Sequence, residues 1–505
     1  MDLTGGAFYP VVNTLAVVFV FLVGIAAIVT LALIIIDLSQ TKDAIRRNYP
    51  LIGRFRSLFS NLGEFFRQYF FAMDREEMPF NRAERNWIHT SASGSDNTLA
   101  FGSTKLLTAP GTAIFVNCAF PRLDKDNKAT PPLVIGPFSR APYEAASIIN
   151  ISAMSFGSIS RPAVQALSAG AKLAGCWLNT GEGGLSPYHL EGGCDIIFQI
   201  GTAKYGVRDA DGGLDADKLR EVAAHAEVKM IEIKMSQGAK PGKGGILPGA
   251  KVTPEIATIR GIPAGKDSIS PNRHLEVDNA EGLLNFIHHV REISGKPTGF
   301  KAVIGGYGWL ETLCEEIHAR GIESAPDFIT VDSGDGGTGA APMPLMDNVG
   351  LPIKESLPIV IDILIKYGLR QRIRVIASGK LVTPAEVALA FCAGTDFVAS
   401  ARGFMFALGC IQALKCNKNT CPTGITTHKE SLQKGLDPQV KSVRVKNYVG
   451  KIRYGTGLIA HSCGVANPRA LSREHCRIVQ EGARSVPMNE LHPTPEILPR
   501  FKTGD

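Results

Sequence analysis

The sequence predicts an α/β protein, a TIM-type (β/α)8 barrel behind a single N-terminal transmembrane helix. Three observations predict it. Residues Val11 to Ile36 are almost entirely apolar. From about residue 145, short apolar segments alternate with helical patterns. Glycine-rich stretches follow many of those segments, at the strand ends where barrel enzymes keep their active sites.

The apolar run holds 26 residues and no charge. At about 1.5 Å per residue it spans a hydrocarbon core of roughly 30 Å with some tilt. A signal peptide would need a basic start and a shorter core. Here the start is Met-Asp-Leu-Thr. Lys42, Arg46, Arg47, Arg54 and Arg56 follow the run, and no basic residue precedes it. The positive-inside rule then predicts a single-pass protein of the cell membrane with its body in the cytoplasm. Residues 53–71 interleave arginines with aromatic residues. That suits a segment in the membrane interface, with an ordinary packed helix as the other reading.

Strands are predicted at 147–153, 176–180, 194–200, 229–235, 299–304, 327–332, 373–377 and 395–400. Most are short and rich in Ile, Val, Ala or Phe, as parallel strands buried on both faces should be. Helices are predicted at 160–174, 215–227, 279–293, 308–320, 354–368 and 383–393. Thr383-Pro384-Ala385-Glu386 supplies a start signal for the last of these. A Gly-, Pro- and Lys-rich insertion, 236–278, separates strands four and five. Loops of that length are functional or disordered. The expected organisation is an anchor (1–40), a juxtamembrane lead-in (41–144), the barrel (145–430) and a helical tail (431–505).

Composition narrows the function. A net charge of +7 is modest, and no zinc-finger spacing, basic helix or RNA-binding motif occurs. Nucleic acid is therefore set aside. Ten cysteines in 505 residues are too sparse for a disulfide scaffold.

Three rim loops point to a phosphorylated ligand. Barrels often hold phosphate between the loops after strands seven and eight. Those loops are Ala377-Ser378-Gly379-Lys380 and Ala399-Ser400-Ala401-Arg402-Gly403. Gly379 admits close backbone approach, and Arg402 opens a helix, where amides favour an anion. Strand six ends in Asp332-Ser333-Gly334-Asp335-Gly336-Gly337-Thr338-Gly339. Strand one ends in Ala153-Met154-Ser155, small residues and a Met that suit a flat ring or plain core packing. Lys301 is a charge inside an apolar strand. Buried lysines are rare unless paired, so it is a candidate for stabilising a reduced flavin, with a structural salt bridge as the alternative.

Cys410, Cys416 and Cys421-Pro422 lie within twelve residues, directly after strand eight. Closely spaced cysteines ending in Cys-Pro suit iron–sulfur ligation, and a zinc site would bring a fourth ligand. With no fourth cysteine nearby, a three-iron cluster fits better than a four-iron one.

These segments, with Gly181-Glu182-Gly183-Gly184, Lys234-Met-Ser-Gln237-Gly-Ala-Lys240-Pro-Gly and Leu247-Pro-Gly-Ala-Lys251-Val-Thr-Pro254, resemble the FMN-binding synthase domain of glutamate synthase. The N-terminal part, Gln40 to Pro50, is similar to the stand-alone, membrane-anchored branch of that family. The resemblance implies FMN held by Ala153, Met154, Gln199, Lys301, Asp335, Gly336, Gly337, Thr338, Gly379, Ser400, Ala401 and Arg402. It implies a 3Fe–4S cluster on Cys410, Cys416 and Cys421. It implies reduction of 2-iminoglutarate, formed from 2-oxoglutarate and ammonia or a related oxo acid and amine, to L-glutamate. Glu182 and Lys240 would be catalytic, and Ser155, Lys240 and Arg260 would hold the substrate. Electrons would come from an external donor, ferredoxin or a reductase subunit. Homo-oligomerisation stays open.

The chain departs from the family in two ways. Met1-Asp2 leads into the apolar run, where full-length synthases carry a glutaminase domain, so ammonia is expected from outside. The family's Glu and Gln in Lys-Pro-Gly-Glu-Gly-Gly-Gln are replaced by Lys243 and Ile246. Two further readings therefore stand beside the first. One is a membrane-associated FMN dehydrogenase that oxidises an amino or hydroxy acid. The other is a redox subunit of a membrane complex.

Overall fold

The computed structural model of the chain describes residues 8–501, apart from 42, 124 and 126–128. Asp2 and Lys42 lie outside the described residues. The chain divides into two compact units, one up to residue 83 and one from residue 84.

The first unit opens with helix α1 (Phe8–Ser39). Its stretch Tyr9–Ser39 is long and apolar enough to cross a membrane. None of its side chains from 9 to 36 is buried. Asp43 caps the short α2 (Ala44–Asn48), its carboxylate accepting from the amides of Ile45 and Arg46. Helix α3 (Ile52–Phe66) follows, then one looser turn over Arg67–Phe71.

In the second unit eight parallel strands close into a barrel. They are β1 (Ile149–Ile151), β2 (Leu178–Asn179), β3 (Ile196–Ile200) and β4 (Val228–Lys234). Then come β5 (Thr298–Val303), β6 (Phe328–Asp332), β7 (Arg374–Ser378) and β8 (Phe397–Ser400). β8 pairs with β1 through Ala399 and Asn150, which closes the ring. Each predicted strand overlaps the observed one. Apolar runs without alternation produce this arrangement because helices cover one face and the barrel interior the other.

The base of the barrel is filled by Trp177, Ile197, Met230, Phe328, Ile376 and Phe397. A hairpin of Leu133–Ile135 and Tyr143–Ala145 adds Ile135, Tyr143 and Ala145 to that cluster. The lead-in thus plugs the N-terminal ends of the strands and leaves the C-terminal ends for chemistry. Lead-in and tail also share a sheet, in which Ala113–Phe115 pairs antiparallel with Cys476–Val479.

The helix starts follow their signals. Thr383 and Glu386 form the expected capping box on Pro384–Ala393. The tail helix Pro438–Ser462 is capped by Asp437, which accepts from the Val440 amide at 3.0 Å. It lies against Arg161–Ala174 closely enough that a Cβ on Gly170 would stand 2.5 Å from Val445 Cβ. The insertion after β4 is ordered around a short antiparallel strand pair, Ile246–Leu247 with Ser268–Ile269, and the helix between them, Pro254–Arg260.

Candidate active site

The insertion folds back over the barrel mouth and brings its cations to Glu182, in the loop after β2. Two glycines make room for that carboxylate. A Cβ on Gly201 would lie 2.6 Å from Glu182 Cβ, and one on Gly245 would lie 2.5 Å from Oε1. Lys234, the last residue of β4, donates to Oε1 at 2.7 Å. Burial pushes the Glu182 carboxyl up, but Lys234, Lys240 and Arg260 outweigh it and hold it below the usual range. Glu182 is therefore an ionised group.

Lys240 is 3% exposed, and its ammonium has no hydrogen-bond or ion-pair partner among the described residues. Burial, with repulsion from Lys234, lowers its ammonium to about 8. Arg260 ends its helix equally buried. It donates to Ser268 Oγ (3.3 Å), Ser155 Oγ (3.5 Å) and the Phe156 carbonyl (3.3 Å). Tyr205 lies under the guanidinium at 5.0 Å. Its Nε is buried with no acceptor, and no carboxylate pairs with it among the described residues. Such a guanidinium suits an incoming carboxylate. The three substrate candidates, Ser155, Lys240 and Arg260, thus surround one region with Glu182.

On the neighbouring strands Lys301 Nζ pairs with Asp332 Oδ2 at 3.2 Å. Burial lowers its basicity, but Asp332 and Glu232 more than compensate, so the ammonium is held above its ordinary value. Both the pairing and the charge are therefore present. Gln199 donates to Glu232 Oε1 at 2.7 Å, and Asn179 and Thr330 complete the shell of that buried carboxylate. Sequence reasoning missed Glu232, and it quoted Lys234 and Asp332 within motifs without giving either a role. Their alternation along β4 and β6 was the available signal, since a charge within a buried strand must meet a partner inside the barrel.

The phosphate-side loops are joined. Gly379, at φ +113°, stands so close to Ser333 that a Cβ would fall 2.3 Å from Ser333 Cβ. Its amide meets no acceptor among the described residues. Lys380 pairs with Asp335 at 2.9 Å, and Arg402 donates to the Asp335 carbonyl at 3.4 Å. Gln237 donates to Thr338 Oγ1 at 2.8 Å. Gly336, Gly337, Ser400 and Ala401 complete this rim, and Ala153 and Met154 lie on the β1 loop beside it. Here the Ser152 amide donates to the Ser400 carbonyl at 2.9 Å. A donor set of Arg402, Lys380 and the Gly379 amide fits a phosphate monoester, and Lys301 on the inner strand fits the electron-rich edge of a flavin.

The cysteine loop starts at Cys410, just past the helix Arg402–Leu408. Burial pushes the Cys410 thiol up to about 12, with Cys416 and Cys421 near enough to add to the rise. Cys421 is held below the usual thiol range, because hydrogen bonding from Thr423 and its neighbours outweighs burial. Gln412, Leu414 and Asn419 all adopt positive φ. Three such residues mark a tightly wound loop, which costs strain. Among the described residues no three His, Cys, Asp or Glu side chains converge as a single ion requires. A polynuclear cluster has a different demand, since it spreads its thiolates over separate irons. Two links tie this loop to the β1 loop. Lys251 donates to the Ser158 carbonyl (2.6 Å) and the Cys416 carbonyl (3.4 Å). His428 takes its position from Asn419 and bonds the Gly157 carbonyl at 2.7 Å.

A family model, the conserved region in glutamate synthase, matches residues 107–466. The glutamate synthase large subunit-like protein YerD of Bacillus subtilis is 40% identical, over 93% of this chain and 97% of its own length. The archaeal-type glutamate synthase [NADPH] of Thermotoga sp. is 34% identical, over 59% of this chain and 56% of that protein. Among solved structures, the recombinant flavin-binding domain of baker's yeast flavocytochrome b2 aligns at 12% identity with a TM-score of 0.44. The alignment covers 84% of this chain and 87% of that one, a likeness too distant to bear on function. With the family model spanning all eight strands and the cysteine loop, the chain belongs to the glutamate synthase family.

Proposed function

We propose that this chain is an FMN- and iron–sulfur-dependent oxidoreductase that reduces 2-iminoglutarate to L-glutamate. The observation that carries it is Arg260, a buried guanidinium that no carboxylate contacts directly among the described residues, facing the same region as Lys240 and Glu182. A dicarboxylate oxo acid supplies the missing negative charge. Bound FMN would provide the hydride, and a 3Fe–4S cluster on Cys410, Cys416 and Cys421 would relay single electrons from an external donor.

The chain's own residues do the rest. Arg260 and Ser155 hold a carboxylate of the substrate. Glu182, kept ionised, holds the cationic ammonium or iminium nitrogen by charge. Lys240, at about 8, is charged near neutral pH and can give up a proton at modest cost. Reduction adds a hydride to the imine carbon and a proton to the nitrogen. Lys240 supplies that proton and recovers it from solvent. The α1 helix anchors the protein in the cell membrane, with the barrel on the cytoplasmic side.

Lys243 and Ile246 favour a second reading. Ile246 places an apolar side chain where the family carries an amide, beside the Gly245 that touches Glu182. A less polar amino or hydroxy acid, oxidised in the reverse direction, suits that change. One anaerobic experiment separates the two. The purified holoprotein is mixed with 2-oxoglutarate, ammonium and a reduced one-electron dye, and glutamate is measured. In parallel, amino and hydroxy acids are screened for flavin bleaching. Glutamate formation supports the first reading; bleaching by an apolar acid with no glutamate formed overturns it.

A further inference from the structure

Helix α3 carries an exposed apolar face that the barrel chemistry does not use. At about 100° per residue, Phe55, Leu58, Phe59, Leu62 and Phe66 fall on one side. Arg54 borders that side on one edge, and Arg56 and Arg67 on the other. Phe59 is 65% exposed and Phe71 75%. The aromatic surface continues into the next turn, where the Phe66 and Phe70 rings meet at 5.5 Å. An open groove of about 440 Å³ runs along it.

A buried latch fixes where this helix starts. Asp37, in the last turn of α1, is 1% exposed. It accepts from Arg54 Nη2 at 2.7 Å, Arg54 Nε at 2.8 Å and the Leu51 amide at 3.1 Å. Leu51 takes a φ of 65°, a left-handed conformation unusual for leucine. Gly53 lets α3 come close to α2, since a Cβ there would lie 2.9 Å from Arg46 Cα. The first turn of α3 is thereby pinned to the end of the apolar helix.

The occupant follows from continuity and charge. If α1 spans a bilayer, its last turn stands at headgroup level, and the latch starts α3 at that same level. Residues 40–71 hold six basic side chains against two acidic ones. Aromatic rings that enter the acyl boundary, with arginines along their margins, are the chemistry of an interfacial helix on acidic lipid. We propose that α3 and the turn after it bind an anionic phospholipid surface, oriented on it by the Asp37–Arg54 pair. This rests on the reading of α1 as a membrane helix.

The test uses the full chain in vesicles of phosphatidylcholine, with or without about one third phosphatidylserine. Hydrogen exchange of residues 52–71 is read by mass spectrometry. Exchange should slow about tenfold or more when phosphatidylserine is present. The slowing should be lost in Phe55→Ser/Phe59→Ser and reduced in Arg56→Gln/Arg67→Gln. Asp37→Asn should weaken it while α1 stays inserted. If the chain washes out of vesicles at alkaline pH, the membrane reading of α1 fails and this proposal falls with it. If the chain stays inserted but 52–71 exchanges alike on both lipids, the proposal is overturned and the anchor stands. Protection that appears in detergent and grows with protein concentration assigns the face to a second copy and overturns it too.

Discussion

Lys234 Nζ lies 2.7 Å from Glu182 Oε1, and that pair is the only direct neutralisation of a site that also gathers Lys240 and Arg260 among the described residues. The balance is one carboxylate against three cations, so the site attracts anions, and the carboxylate is committed to its ionised form. Removing either partner should be felt in both chemistry and folding.

Glu182→Gln keeps the shape and removes the charge. Turnover should fall by about 100-fold or more, in the range for loss of a group that handles a proton or a cationic nitrogen. Flavin absorbance should stay near wild type, because Glu182 is not on the phosphate-side rim. Steady-state kinetics with matched flavin content checks this. Activity within about twofold of wild type would remove Glu182 from the reaction.

Lys240 sets an alkaline limit. Its folded value is lowered from 10.5 to about 8, chiefly by burial. Activity that needs the ammonium should decline as pH rises through about 8, and Lys240→Met should lose that limb along with most activity. The sign for stability is opposite. The unfolded chain binds the extra proton between about 8 and 10.5, so the wild type should gain stability relative to Lys240→Met as pH rises through that window. Urea unfolding at pH 7 and pH 9.5 measures it.

Lys301→Met should strip flavin and destabilise the barrel together. It leaves Asp332 buried without its cation, a change that costs roughly 3–5 kcal/mol for buried pairs. Lys301→Met/Asp332→Asn should recover much of the stability. It should not recover flavin affinity, because the charge near the ring is still missing. Thermal melts and flavin content of the two variants separate these roles. Equal flavin content in wild type and both variants would show that Lys301 is only a structural cation.

Cys416→Ser should abolish the paramagnetic signal of an oxidised three-iron cluster and lower iron content, while leaving part of the flavin bound. Turnover with a one-electron donor should stop. Folding should also weaken, since cluster binding and folding are coupled. Full iron content and full activity in this variant would move the ligand search to Cys463 and Cys476.

The sequence by itself determined the barrel, its eight strands and the apolar helix, and it named residues that the fold then brings to the barrel mouth. Those features are local. Period and apolar run length report which faces a segment buries, and glycines such as Gly379 mark where backbone must approach something closely. Thr383 and Glu386 announced a helix start within four residues. Tertiary structure decided what those residues do to one another. Lys234, Glu182, Lys240 and Arg260 come from three separate loops or strand ends, and their protonation follows from distances that no spacing encodes. The same holds for Asp332 under Lys301, for Lys251 and His428 bridging the cysteine loop to β1, and for Asp37 under Arg54. Burial and charge act through space at a few ångströms, whereas sequence pattern reaches only as far as one helix or strand.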